Sequence, residues 1–190
     1  CNTALFLIDL DFGRNRLGGS ALAQVYRQLG DIAPDVEQPE TLKGFFNAIQ
    51  DLNREGLLLA YHDRSDGGLL ACVAEMMFAS RLGVSLALSG SRTELLHTLF
   101  NEELGAVVQV RHSDTDAVLE TLREFGLGRH SHVIGDLADA DHDHASIRLA
   151  RQNAAVEQSR IGRIVRRFEP VREFLGDRFG ITRLLVEGRP

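Results

Sequence analysis

The chain has 190 residues, 44% of them apolar and 25% charged, with a formal net charge of −6 at pH 7. Such a composition is expected of a soluble globular chain with its own core, and it excludes a fibrous or disordered one. No apolar run nears the ~20 residues of a membrane-spanning helix. No signal peptide opens the chain, and the two cysteines build no disulfide framework, so a reducing, cytoplasmic setting without a membrane partner is expected. Residues 1–150 hold 12 basic and 22 acidic side chains, whereas residues 151–190 hold 9 and 5. An acidic body is a poor surface for a polyanion, so no nucleic-acid partner is expected. The chain is accordingly read as a domain over residues 1–152 and a basic, partly helical tail over 153–190.

Taken in chain order, Thr3–Leu10 is apolar and reads as a strand, followed by a polar loop to Arg16. Ser20 is the expected N-cap of a helix running to about Leu29 and closed by Gly30. Leu42, Phe45, Phe46, Ile49 and Leu52 recur at helical spacing within Glu40–Arg54, which ends at Gly56. Leu57–Tyr61 reads as a strand, Gly68–Leu82 as an apolar helix, Val84–Leu88 as a short strand and Thr93–Phe100 as a helix. Ala106–Val110 follows as a strand and Asp114–Phe125 as a helix. Ser131–Leu137 and Ser146–Leu149 read as two strands joined by a polar Asp139–His144 turn. Strands and helices alternate without a repeat, which predicts an α+β fold with one mixed β-sheet covered by helices.

The most telling segment is His62-Asp63-Arg64-Ser65-Asp66-Gly67-Gly68, where an apolar strand empties into a turn and a helix begins. Free backbone N–H groups at a helix start favour phosphate, and a neighbouring carboxylate holds Mg²⁺ shared with phosphates. The plainer reading is a capped strand–turn–helix joint, with Ser65 or Asp66 as N-cap and the glycine pair required by the turn. Asp66 in particular reads as the N-cap. His62 reads equally as a polarising group and as a strand-end imidazole bonded to backbone. The Gly18-Gly19-Ser20 turn, preceded by Arg14 and Arg16, allows the same two readings: a close backbone approach to phosphate, or a plain helix start with exposed arginines.

The run from His62 to Ser80, HDRSDGGLLACVAEMMFAS, resembles the corresponding segment of the phosphoribosylformylglycinamidine synthase family of purine biosynthesis. LGGSALAQVY over Leu17–Tyr26 and FNEELGAV over Phe100–Val107 match the same family in the same order, and the similarity covers about residues 3–160. It implies the C-terminal half of an ATP-binding synthetase core shared with aminoimidazole ribonucleotide synthetase, with a three-layer α/β/α arrangement. It further implies Asp63 as a Mg²⁺ ligand, Ser65 as a nucleotide-binding hydroxyl, and Gly18, Gly19 and Ser20 as substrate or phosphate contacts. No catalytic residue is singled out. The family reaction converts formylglycinamide ribonucleotide, ATP and glutamine-derived ammonia into the amidine, ADP and phosphate. ATP/ADP and formylglycinamide ribonucleotide are thus the implied small-molecule partners. The other synthetase half and the glutaminase domain lie outside this chain, and neither Cys1 nor Cys72 sits in a glutaminase motif, so the chain alone is expected to be inactive. Two rival readings are a non-catalytic scaffold of the same fold, and another superfamily enzyme such as aminoimidazole ribonucleotide or selenophosphate synthetase.

The remaining candidates have plain readings. Glu102 and Glu103 are expected to be solvated, Phe100 to anchor its helix in the core, and Cys72 to be a buried, inert thiol. Asp139, Asp141, His142, Asp143 and His144, with His130 and His132, lack a regular ligand spacing and read as a hydrophilic hairpin tip rather than a metal site. Ile161, Ile164, Val165, Phe168, Val171 and Leu175 fall close to one helical face interrupted by Pro170, with Arg160, Arg163, Arg166 and Arg167 on the other faces. This reads either as an altered or partly disordered end or as a helix that packs on a partner.

Overall fold

The computed structural model describes residues 2–138, 147–151 and 184–185. Seven strands form one sheet: β1 (Thr3–Asp9), β2 (Ala60–Asp63), β3 (Gly83–Leu88), β4 (Gly105–Arg111), β5 (Ser131–Ala138), β6 (Ile147–Arg151) and β7 (Leu184–Leu185). Their order across the sheet is β2-β4-β1-β5-β3-β6-β7. Every pairing from β2 through β3 is antiparallel, whereas β6 joins β3 in parallel and β7 joins β6 in parallel. The sheet is therefore mixed, as expected.

Side-chain alternation along β1, an interior strand, divides the core in two. Leu5 and Leu7 of β1 enter a cluster completed by α3 (Gly68–Ser80) and α4 (Arg92–Phe100). Ala4, Phe6 and Ile8 enter the opposite cluster, completed by α2 (Pro39–Arg54) and α5 (Thr115–Glu124). Helices on both faces of the sheet make the three-layer arrangement. α3 is apolar on nearly every side because it is packed between the sheet and α4, with Leu95, Leu96, Leu99 and Phe100 against it. Phe100 is buried, as expected of an anchor.

Three expectations are corrected. The second strand begins at Ala60 rather than Leu57; Leu57 and Leu58 instead pack as a loop against the α2–α5 cluster, and pairing starts where Leu59 N–H donates to Gln109 O. His62 and Asp63 consequently sit on the strand and not in the turn. The first helix, α1 (Ala21–Val25), is much shorter than expected, because Arg27 and Gly30 both take left-handed φ values, 55° and 76°. Finally, β5 and β6 are not a hairpin, since β3 lies between them. The Asp139–His144 turn and the 160–175 helical face lie outside the described residues.

Candidate functional site

β1 and β2 flank β4 and run antiparallel to it, with Asp9 opposite Gly105 and Asp63 opposite Ala106. Both aspartates therefore leave the sheet at the same end, two strand spacings (about 10 Å) apart. β2 is an edge strand, and the Asp63 carboxylate is 68% exposed, its nearest described cation the His62 ring at 4.0 Å. Ser65 and Asp66 are exposed too, whereas Arg64, between Asp63 and Ser65, is buried. The chain thus presents Asp63 and Ser65 outward and sends Arg64 inward, where Nη2 donates to Asp9 Oδ1 at 2.6 Å and Nε to the Glu103 carbonyl at 2.8 Å.

The start of α3 is not the open phosphate cradle its sequence suggested. Gly67, in a left-handed conformation at φ 85°, is the N-cap, and no side chain of its own turn caps the helix, so the capping role expected of Asp66 is overturned. Gly67 N–H donates to Glu102 Oε1 at 2.8 Å, and Gly68 N–H donates to the Ser65 carbonyl at 2.9 Å. A carboxylate from a distant segment already meets the positive end of the helix dipole.

The Gly18–Ser20 turn is likewise internally bonded. Gly18 N–H donates to Ile32 O, Gly19 N–H to Leu29 O and Ser20 N–H to Leu17 O. Ser20 is buried; its hydroxyl donates to Leu17 O and caps α1 by accepting from Ala23 N–H. A Cβ on Gly18 would come within 2.3 Å of Ile32 backbone, whereas the space beside Gly19, at φ 74°, is open. Gly18 is thus required for close packing, and Gly19 is the turn's exposed face.

The two turns the sequence singled out do meet, and the third motif is what joins them. Glu102 Oε1 accepts from Ala21 N–H at 2.7 Å as well as from Gly67. Neither of its neighbours is solvated either. Asn101 Nδ2 donates to Asn15 Oδ1 at 2.8 Å, and Glu103, 1% exposed, accepts from Arg16 Nε, Nη2 and backbone N–H at 2.7, 2.8 and 2.9 Å. Arg16 also reaches Glu37 at 2.7 Å and is buried, so the expectations of solvated glutamates and exposed arginines fail at Glu103 and Arg16, while Glu102 is half-buried with one oxygen hydrogen-bonded. A solvated face and a buried carboxylate have the same local sequence; only the arrival of a partner from elsewhere separates them. Arg14 is half-exposed and pairs with Glu37 at 2.8 Å.

His62 takes the backbone-bonded reading and adds a carboxylate. Nδ1–H donates to the Asp63 carbonyl at 2.7 Å, and Nε2 lies 2.6 Å from Glu75 Oε2. Both partners are acceptors, an arrangement only the doubly protonated ring satisfies. Burial opposes the charge, but the Asp63 carbonyl and the Glu75 carboxylate outweigh it and raise the pKa above its ordinary 6.5. The stabilisation is therefore complete below pH 6.5 and lost as pH rises through the higher folded value. NMR titration of His62 should give a midpoint above 6.5, and Glu75→Gln should move it down; an unchanged midpoint in that variant would show that Glu75 does not act on the ring. Cys72 is buried and its thiol is pushed up to about 12 by burial, in keeping with an inert side chain.

Sequence reading missed a cleft of ≈410 Å³ at the same sheet end, lined by Asp9, Asp11, Phe12, Asn15, Arg129 and His130 among others. Phe12 and Asn15 hold left-handed φ values of 57° and 46°. Asp11 pins that loop by accepting from Gly13 and Asn15 N–H, and burial, then the nearby Asp9 charge, raise its pKa. His130 is buried and donates from Nδ1 to the Asp9 carbonyl at 3.0 Å, with Phe12 edge-on at 4.8 Å. No group of three or more metal-ligating side chains converges among the described residues. No described helix is long and apolar enough to cross a membrane.

Residues 4–148 match the family described as AIR synthase related protein, C-terminal domain. Among solved structures, T. maritima PurL complexed with ATP superposes with a TM-score of 0.58 at 17% identity, covering 82% of this chain and 24% of that one. T. maritima PurL complexed with FGAR gives 0.53 at 19% identity, with 73% and 24% coverage. E. coli HypE, a hydrogenase maturation protein, gives 0.50 at 19% identity, with 83% and 50% coverage. At these identities the likeness is one of fold, and the chain spans about a quarter of PurL's length and half of HypE's.

Proposed function

From the premise that this chain belongs to the AIR synthase related protein C-terminal domain family, we propose that it is the C-terminal half of an ATP-using synthetase core. The enzyme we infer is phosphoribosylformylglycinamidine synthase, which makes formylglycinamidine ribonucleotide with ATP and glutamine-derived ammonia. The observation that carries this reading is the convergence of the Asp63–Gly68 and Gly18–Ser20 turns on one carboxylate, Glu102. The three matching sequence motifs therefore meet in space. The PurL structures of the same fold that carry ATP, ADP or FGAR support it further.

The residues present fit a magnesium ion shared with a nucleotide and not an all-protein metal cage. Asp63 offers one exposed carboxylate free of any described cation closer than 4.0 Å, and Mg²⁺ needs only one or two carboxylates when phosphates supply the rest. Bound Mg²⁺–ATP would supply the phosphoryl group that activates the substrate amide oxygen. Asp63 would hold the metal, and the exposed Ser65 hydroxyl would donate to a phosphate oxygen. The Gly18–Ser20 turn would shape the substrate side through the open face of Gly19, since its N–H groups are already bonded. The site would be completed by the other synthetase half, and ammonia would come from a glutaminase domain, so residues 1–190 by themselves should not turn over.

Calorimetric titration of Mg²⁺–ADP and Mg²⁺–ATP tests this. Saturable binding is expected, with Asp63→Ala losing it while remaining folded; binding indifferent to Asp63 would remove the metal role. Titration of formylglycinamide ribonucleotide separates this enzyme from other members of the family. If neither the chain nor the chain supplemented with the first synthetase half binds any of these, it is a scaffold.

A further inference from the structure

We propose that Glu102 is a positioning residue of the nucleotide site, one carboxylate oxygen setting the spacing between the turn that carries Asp63 and Ser65 and the Gly18–Ser20 turn. The proposal rests on the nucleotide reading above. Its basis is the doubled acceptor: Oε1 takes Gly67 N–H at 2.8 Å, at the N-cap of α3, and Ala21 N–H at 2.7 Å, one residue past Ser20. Among the described residues no other hydrogen bond joins the two turns.

The strut has a rigid base. Asn101, fully buried, donates to Asn15 Oδ1 and to the His97 carbonyl, both at 2.8 Å, and Glu103 is clamped by Arg16. The backbone on either side of Glu102 is therefore held by partners that do not involve its carboxylate. α3 rests directly on this segment, because a Cβ on Gly68 would come within 2.6 Å of the Asn101 carbonyl. The Asp63–Gly68 turn is held on this segment by Glu102, by the Gly68 contact and by Arg64 Nε on the Glu103 carbonyl. The Gly18–Ser20 turn meets it through Glu102 at Ala21 and, two residues upstream of Gly18, through Arg16 on Glu103. Withdrawing the carboxylate should leave the sheet and both helices in place and loosen one turn against the other.

The test compares Glu102→Ala and Glu102→Gln with the unmodified chain in three measurements. These are amide exchange at Ala21 and Gly67 by NMR, Mg²⁺–ATP affinity by calorimetry, and the thermal midpoint. Glu102→Ala should speed exchange at both amides together by about tenfold, the loss expected of one hydrogen bond each. It should also weaken Mg²⁺–ATP about tenfold. Glu102→Gln keeps an oxygen acceptor and should restore most of that affinity even where its thermal midpoint stays low, a split that a purely structural role would not produce. Should the alanine variant not fold, Glu102→Asp, which withdraws the acceptor by one methylene, takes its place with the same expectations. Unchanged exchange, exchange altered at only one amide, or undiminished affinity overturns the proposal. If neither the unmodified chain nor the chain supplemented with the first synthetase half binds Mg²⁺–ATP, the nucleotide reading falls and the positioning role with it. Coupled exchange would then leave Glu102 as a structural strut only.

Discussion

Glu103→Ala should destabilise the chain by about 3 kcal/mol, the lower end of the cost of removing one partner of a buried ion pair. The Glu103 side chain is 1% exposed and accepts three hydrogen bonds from Arg16, two from the guanidinium and one from backbone N–H. Removing the carboxylate leaves that guanidinium, itself largely sheltered from water, facing a void, and leaves a buried N–H without an acceptor. Glu37, 2.7 Å from Nη1, retains part of the charge pairing and keeps the loss from being larger. Urea unfolding of Glu103→Ala beside Glu37→Ala measures the difference. Glu37 is more exposed and binds at the periphery, so its removal should cost well under half as much. Equal losses would mean that the pair acts as a surface network and that burial of Glu103 does not matter.

Gly68→Ala should cost roughly 3 kcal/mol and disturb the candidate site as well. Two terms add: a left-handed φ of 69° that an L side chain rarely tolerates, and a Cβ placed 2.6 Å from Asn101 O and 2.8 Å from Leu99 O. Those neighbours are backbone, so they cannot swing aside; α3 must lift off the 99–101 segment. The lift would draw Gly67 away from Glu102, and exchange at the Gly67 amide should rise along with the loss of stability. Gly67→Ala is the informative companion. It has a comparable φ of 85°, but its Cβ would meet one atom, the Ala71 methyl at 2.7 Å, where that of Gly68 meets three backbone atoms. The methyl cannot rotate away, so the first turn of α3 must shift to relieve it. If both glycines tolerate alanine to within 1 kcal/mol, the packing of α3 on this segment is looser than its geometry implies.

Periodicity and turn chemistry made most of the secondary structure legible. The apolar run Thr3–Leu10 marked β1, helical spacing of Leu42, Phe45, Ile49 and Leu52 marked α2, and Ser20 caps α1 as its side-chain chemistry predicts. The glycine pair before α3 does serve the backbone, with both residues at positive φ. These features depend on contacts within a few residues, and local sequence carries them completely. The insertion of β3 between β5 and β6 is different in kind, because strand neighbours are chosen by pairing across the whole chain. The same separation of scales governs the site. Asp63 and Ser65 could be singled out from their own turn, but Glu102, Glu103 and Arg16 read as solvent-facing charges until residues 16–21, 64–68 and 101–103 are brought together. A carboxylate is exposed or buried according to whether a distant donor reaches it. By itself the sequence determined most of the elements, the three motifs and the fold class. Tertiary structure decided that Asn101, Glu102 and Glu103 hold those motifs at one end of the sheet, since only folding brings their donors within hydrogen-bond range.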